Sequence, residues 1–401
     1  MRNVSLSSQV QTFPALSQSG SLVSISVKAV SISWTIWFMV AGTVVSLIGA
    51  ILDYAWHMSV GLETPTTPPH VLIGIGGGMT GIIAIYEILA TTLSSTARTR
   101  EASVKVLGLY GPAGAFIAVW GILAMYSSIP FDSWWHNAYG LDVQFITPPH
   151  GLLFLGNLAV KVGAMAWLAS IINRSNGTLQ HKLAWPFMII GSICTISLAN
   201  RIALYTSHVD MHTAACYLAV AVALPSMILA AGRGVAHKWG CTIVAASYMT
   251  INLASEWLLP LFPAQPKLGP VYHNITHLVP MQFPLLLIVP AFLADLLLQR
   301  LEGRSSWIKA VWVGPAFVLS FFVVQWPFAN FLMSPAARNK VFGTAYFAYS
   351  DLAGFLYDPY KFRASEPFLV FTVTMLAAVL VSILATRFGV GWADWMRRIH
   401  R

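Results

Sequence analysis

Long apolar runs of about 20 residues recur along most of the chain, and short polar connectors separate them. A run of this length, folded as an α-helix, crosses ~30 Å of hydrocarbon, whereas strands of a membrane β-barrel are shorter and alternate in polarity. The pattern predicts an all-α, polytopic membrane helix bundle of about ten transmembrane helices. The predicted spans are 33–52, 70–93, 106–129, 150–172, 185–207, 212–231, 241–260, 279–299, 308–332 and 367–387.

Composition supports the membrane assignment. Of the 401 residues 57% are hydrophobic and only 9% are charged, whereas soluble domains carry roughly 25% charged residues. The expected partner is therefore a lipid bilayer. The net charge of +9 does not indicate nucleic acid, because the basic residues sit in short connectors, where a positive-inside pattern places them. The three cysteines form no CxxC pair, which gives no support to a thiolate metal site or a redox dithiol.

Two kinds of connector alternate along the chain. One kind is short and basic, and the other carries histidines. If the spans alternate in direction, all basic connectors fall on one side, which predicts a multi-pass protein of the cell inner membrane with both termini cytoplasmic. The basic connectors hold Arg98, Arg100, Lys105, Arg174, Lys182, Arg233, Lys238, Arg300 and Arg304, and the C-terminus adds Arg397, Arg398 and Arg401.

Three regions follow from this arrangement. Residues 1–28 are rich in Ser and Gln and are predicted to form a flexible N-terminal tail. Residues 29–300 are predicted to form four helical hairpins with histidine-bearing outer connectors. Residues 301–401 are predicted to form a C-terminal hairpin with a long aromatic outer loop, at about 334–366.

One connector is written twice. The stretch DYAWHMSVGLETPTTPPH begins at Asp53 and ends at His70, and DSWWHNAYGLDVQFITPPH begins at Asp132 and ends at His150. Both copies place a histidine four residues after the Asp, at His57 and His136, and close on Thr-Pro-Pro-His. A repeat of about 80 residues predicts duplicated helical hairpins.

The spacing within each copy suggests a metal site. Residues four apart share one face of a helix, and Pro-Pro starts the next helix because proline is tolerated in its first turn. Each connector should then bring one Asp and two His together. This ligand set suits copper, with iron or zinc as alternatives.

Further histidines lie in the third and fourth outer connectors. They form two HxxxH pairs, and i, i+4 spacing on a helix would suit one metal ion. The duplicated sets are predicted to form either two equivalent sites or one shared site between the hairpins, and a shared polar cluster at one membrane face, completed by these pairs, is preferred. The predicted metal ligands are Asp53, His57, His70, Asp132, His136, His150, His208, His212, His273 and His277.

The first copy resembles a known signature. Asp53-x3-His57-x12-His70 is similar to the Asp-x3-His-x12-His motif of the C subunit of particulate methane and ammonia monooxygenases. The resemblance covers about eighteen residues, and the second copy departs from it by one extra residue. It implies copper bound by Asp53, His57 and His70 near the outer side of the membrane. A comparison with membrane di-iron enzymes is weaker, because their HxxHH box is absent.

Two charged residues near the histidine connectors are candidate catalytic groups. Arg201 precedes His208 by two helical turns and is expected to pair with a carboxylate such as Asp210 or to hold an anion. Glu256 ends the seventh span on the histidine side and is a candidate acid/base group. Lys161 lies near the middle of a span and must face the bundle interior.

These features predict a membrane-embedded, metal-dependent oxidoreductase, resembling a monooxygenase, that acts near the outer face on an apolar small-molecule substrate. The alternative is a protein without catalysis of its own: a metal-binding accessory component among partner subunits, or a metal transporter. Transport would need ligands spread through the depth of the membrane, whereas these cluster at one level.

Overall fold

The computed structural model describes residues 33–62, 64, 66–94, 103–140, 147–269, 271, 274–346, 359–363 and 366–400. The predicted tail at 1–28 lies outside these residues. Ten α-helices occur within them: α1 (Trp34–Ser59), α2 (Pro68–Leu93), α3 (Ala113–Tyr139), α4 (Pro148–Arg174), α5 (Gly177–Arg201), α6 (Ala214–Arg233), α7 (Gly240–Leu258), α8 (Ile288–Arg300), α9 (Ser306–Leu332) and α10 (Phe368–Arg398).

The all-α prediction is confirmed. In the described part of the chain, eight helices are long and apolar enough to cross a membrane, namely all except α7 and α8. Strand is confined there to one short hairpin, β1 (Val104–Val106) with β2 (Leu109–Gly111). The protein is therefore a helical membrane protein.

The helices run back and forth between two ends of the bundle. At one end, Arg397 donates to the carbonyl of Arg233, and the side-chain amide of Asn173 donates to the carbonyls of Met396 and Ile399. We call this the basic end. At the other end lie the described residues within 53–70, 132–150, 202–213, 259–287 and 333–346, and we call it the histidine end.

The repeated motif corresponds to two closely packed hairpins. In the first, a Cβ added to Gly76 of α2 would lie 2.2 Å from the backbone nitrogen of Ser46 in α1. In the second, a Cβ added to Gly156 of α4 would lie 2.6 Å from the backbone nitrogen of Met125 in α3. Glycine lets the helix backbones approach this closely, as small residues do in membrane helix pairs. Each pair is thereby held in register, with its Asp and His residues at one end.

The third predicted span begins too early. Residues 104–111 form the β-hairpin at the basic end, and α3 starts only at Ala113. The two residues of the hairpin turn, Leu107 and Gly108, have φ values of 50° and 87°. Positive φ at both central positions matches the turn that tight hairpins favour, so the chain turns back before the helix can start.

The eighth predicted span is only partly helical. The expected range was 279–299, but α8 begins at Ile288 and the chain from 278 to 287 forms no helix. Pro280 and Pro284 explain the difference, since proline lacks an N–H and clashes with the preceding turn of a helix. The fourth predicted hairpin is therefore α7 followed by a long non-helical connector and a short helix.

Side chains provide hydrogen-bond partners for the backbone of the non-helical segment 278–287. The hydroxyl of Ser59 accepts from the backbone N–H of Val279 at 2.7 Å. The amide oxygen of Gln325 accepts from the N–H of Leu286 at 3.0 Å, deeper in the bundle. Non-helical backbone within a membrane bundle is tolerated where protein groups satisfy it, and these contacts do so.

Lys161 lies inside the bundle, as predicted. It is 2% exposed, its ammonium group donates to Ser197 at 3.0 Å, and a second, short bond joins it to Asn157. Asn157 in turn donates to Ser46 of α1 at 2.9 Å. This buried polar group links α1, α4 and α5 below the histidine end.

Candidate metal centre

The first Asp–His set lies where α1 turns into α2. Gly61 has a φ of 76° and its N–H bonds the carbonyl of Trp56, which ends α1 and reverses the chain. Pro68 and Pro69 then occupy the first turn of α2, where their fixed φ suits a helix start. The connector is short, so His70 on α2 faces the last turns of α1.

Three side chains converge at this turn. The Nε2 atom of His70 lies 3.0 Å from Oδ1 of Asp53, and Nε2 of His57 lies 3.8 Å from Oδ2 of the same carboxylate. One ligand atom from each residue lies within 4.8 Å of the other two. Among the described residues, this is the group of three or more His, Cys, Asp or Glu that meets that limit.

The ring of His70 is held in one orientation. Its Nδ1 lies 2.8 Å from the carbonyl oxygen of Thr64, to which it donates a hydrogen bond. That carbonyl also accepts from the N–H and the hydroxyl of Thr67, at 3.0 and 2.9 Å. With the proton on Nδ1, the lone pair of Nε2 points towards Asp53. Metal-binding histidines are commonly oriented in this way by a carbonyl or a carboxylate.

The donor set fits a transition metal. Two imidazole nitrogens and one carboxylate provide three ligands, which leaves coordination positions open for a small molecule. The side chains of Asp53, His57 and His70 are 24–30% exposed, so an ion can reach them from the histidine end. The first predicted set therefore has the geometry expected of a metal site.

The second set has the same plan with wider spacing. His136 and His150 approach different oxygens of Asp132, at 3.5 and 3.7 Å. Nδ1 of His136 donates to the carbonyl of Gly140 at 3.1 Å, which turns its Nε2 towards Asp132. The three residues do not come within the 4.8 Å limit that the first set meets. The connector residues 141–146 lie outside the described part of the chain.

The surroundings of Arg201 differ from those expected from the sequence. The guanidinium lies 4.8 Å from the ring centre of Phe154, one turn beyond His150 on α4, and the charge of Asp53 acts on it. Asp210, the partner expected from the sequence, lies 3.7 Å from Arg363 instead.

The HxxxH pair of the third connector is not helical. His208 and His212 lie in consecutive turns between α5 and α6, so their spacing does not place them on one face. His208 is 5% exposed, and its backbone N–H donates to the side-chain oxygen of Gln282 at 2.7 Å. The ring of His212 is stacked between Trp326 and Phe362, at centroid distances of 4.0 and 3.6 Å. Neither joins the Asp53 set.

The fourth connector contains no α-helix where it is described. His277 pairs with Pro263 in an isolated β-bridge, and its ring packs edge-on against Tyr346 at 4.7 Å. His273 lies outside the described residues. The structure does not bring His208, His212 and His277 into the group formed by Asp53, His57 and His70, and their role as metal ligands stays a prediction.

Glu256 lies deep in the histidine end of α7. It is 1% exposed, and neither carboxylate oxygen has a hydrogen-bond partner among the described residues. A Cβ added to Gly343 would lie 2.5 Å from its Oε1, and Gly343 has a φ of 68°. The Glu256 side chain is thus packed directly against the 342–346 segment. Its predicted acid/base role stays a prediction.

Sequence analysis did not identify two hydrogen-bonding groups at the histidine end. The carbonyl of Thr64 orients His70 from the main chain, so no residue type marks it. Gln282 accepts the backbone N–H of His208 at 2.7 Å across 74 residues of sequence, which only the fold brings together. No family model, no curated protein and no solved structure matches this chain significantly, and the short monooxygenase-like motif therefore stays a resemblance of local sequence.

Proposed function

We propose that the protein is a membrane-embedded oxidoreductase that binds one redox-active metal ion, copper or iron, at Asp53, His57 and His70. The observation that carries this proposal is the convergence of two Nε2 atoms and one carboxylate within 4.8 Å at the α1–α2 turn. Zinc fits the same ligands, and it would bind without supplying redox chemistry.

The chemistry follows from the number of ligands. When bound, a redox metal with open positions would activate a small molecule and exchange electrons with it. Asp53 supplies the negative charge, His57 and His70 supply neutral nitrogen donors, and Thr64 fixes the His70 tautomer. Arg201 offsets part of the charge of Asp53 and so tunes how strongly that carboxylate donates.

The location of the site suggests the kind of substrate. The Asp–His set lies at the end of a bundle whose helices expose large apolar side chains, such as Ile48 on α1 and Ile75 on α2. An apolar molecule dissolved in the bilayer can approach such a surface without crossing water. We take the histidine end to face outwards and both termini to be cytoplasmic, on the basis of the basic connectors.

The alternative is a metal-binding accessory component without turnover. Ligands at a single level of the bundle favour a fixed site over a transport path, but they suit an accessory role equally well. The two roles differ in whether bound metal supports dioxygen consumption.

The experiment compares wild-type protein with His57→Ala after loading with copper, iron or zinc in lipid nanodiscs. Metal per chain and reductant-driven dioxygen consumption are measured on the same samples. We expect about one tightly bound ion in the wild type, dioxygen consumption with copper or iron but not zinc, and loss of both in His57→Ala. Metal binding without dioxygen consumption would favour the accessory role, and a chain that binds no metal would refute the site.

A further inference from the structure

A small cavity lies next to the Asp–His set, on the neighbouring face of α1. Its volume is ≈ 30 Å³, and Tyr54 and Met58 of α1 form part of its wall. These residues follow Asp53 and His57 by one position each, about 100° further round a helix of 3.6 residues per turn. The cavity and the candidate metal site therefore share the last two turns of α1.

The rest of the wall is largely non-helical backbone. His208 and Met211 come from the turns between α5 and α6, and residues 279–283 come from the non-helical segment before α8. Membrane proteins interrupt helices in this way where the chain lines a binding site. The prolines that stop the eighth span from being fully helical thus create one side of the cavity.

The lining is apolar and polarisable. Three methionines contribute, Met58, Met211 and Met281, and thioether side chains adapt their shape to small guests. Two polar side chains in the wall bond within the protein: Gln282 accepts from the N–H of His208 at 2.7 Å, and Thr344 donates to the carbonyl of Ala337. A charged or strongly hydrogen-bonding guest would compete with these bonds, whereas a neutral, weakly polar guest would not.

The volume sets the size of the guest. One water needs about 10–15 Å³ of cavity volume, measured as the space open to a water-sized sphere. The ≈ 30 Å³ of this cavity therefore accommodates a molecule of two or three heavy atoms. A drug-sized ligand needs roughly ten times more. Lipids, quinones and long-chain substrates are therefore too large for this cavity.

We propose that the cavity binds a neutral molecule of the size of dioxygen and holds it beside the Asp53 site as the co-substrate. This inference rests on the proposed oxidoreductase function for the identity of the guest. The existence of the binding site rests on the cavity alone. A store of this kind would raise the local concentration of the molecule that the metal consumes.

The test uses xenon as the probe, because it binds in dry apolar cavities and scatters X-rays anomalously. Full-length wild-type protein is compared with Met281→Phe, in which the larger side chain fills the cavity from the non-helical segment before α8. Met249→Phe is the matched control, because Met249 packs against the core without lining the cavity. Leu332→Phe fills the cavity from α9 and replaces Met281→Phe if that variant does not fold. Metal per chain is measured for every variant.

We expect xenon in the cavity of the wild type and of Met249→Phe, and at least a tenfold lower occupancy in the filled variants, with metal content unchanged. In turnover assays the filled variants should raise the KM for dioxygen several-fold and change kcat little. Absence of xenon from the wild-type cavity, or its retention in both filled variants, would overturn the proposal. If the protein binds xenon but no metal, the proposed oxidoreductase function fails, and the assignment of dioxygen as the guest fails with it.

Discussion

Replacing Asp53 by asparagine keeps the size of the side chain and removes its charge. Both imidazoles of the first set approach this carboxylate, with Nε2 of His70 at 3.0 Å and Nε2 of His57 at 3.8 Å. Asparagine places a neutral amide there, and its NH₂ group can donate to the Nε2 lone pair that a metal would use. The substitution therefore removes one ligand and blocks another.

The expected loss of metal affinity is large. Losing a group that merely orients a ligand typically costs about 10–100-fold in affinity. Asp53 is itself a ligand in our proposal, so the loss should reach or exceed the upper value, which is about 2.8 kcal/mol at 1.4 kcal/mol per tenfold change. Arg201 would increase the loss, because its charge repels a cation once the Asp53 charge is gone.

The assay is a chelator titration that reports metal per chain for wild type, Asp53→Asn and Asp132→Asn. Asp132 occupies the same place in the second hairpin, but its set does not converge within 4.8 Å, which makes it the matched control. We expect Asp132→Asn to bind metal like the wild type. The reasoning is wrong if Asp53→Asn keeps its affinity within threefold, or if both variants lose affinity equally.

Three other predictions concern the packing, the acid sensitivity and the topology. Gly76→Ala should lower the unfolding temperature and disturb metal binding, because overpacking costs about 1–3 kcal/mol. Gly74→Ala is the control and should do neither, because a Cβ there meets nothing within 4 Å. Equal unfolding temperatures of the two variants would contradict this prediction. Burial lowers the pKa of His208 to about 4 from its usual 6.5, so the unfolded chain binds more protons between these values and stability should fall as the pH drops through them. His208→Gln should show a weaker decline in unfolding temperature over that range, and an unchanged decline would refute the assignment. Cysteines introduced at Ser133 and Ser175 should be labelled from opposite sides of intact cells, since the native cysteines are buried, and labelling from one side would overturn the topology.

Hydrophobic run length was enough to predict the fold class. Eight predicted spans coincide with helices that are long and apolar enough to cross a membrane, because a membrane helix must satisfy its own backbone and so needs a continuous apolar run. The eighth span, 279–299, was mispredicted because a hydropathy pattern does not take into account that Pro280 and Pro284 lack the N–H that a helix needs. Its non-helical half accepts hydrogen-bond partners from distant parts of the chain, such as Gln325.

The candidate site was predictable where local geometry decides it. Asp53 and His57 are one helical turn apart, and Pro-Pro fixes where α2 begins, so the sequence alone brought His70 near them. The same i, i+4 argument was wrong for His208 and His212, because it assumed a helix where the chain forms turns. The sequence could not predict the partner of Arg201, because the electrostatic interaction of Arg201 with Asp53 depends on how α5 packs against α1.

X-ray absorption spectroscopy of the metal-loaded wild-type protein tests the central claim most directly, because it reports the atoms bound to the metal. We predict two imidazole nitrogens and one carboxylate oxygen at about 2.0–2.2 Å, and one imidazole fewer in His70→Ala. A metal shell without imidazole, or a spectrum that is identical in His70→Ala, would contradict the assignment of Asp53, His57 and His70 as the metal centre.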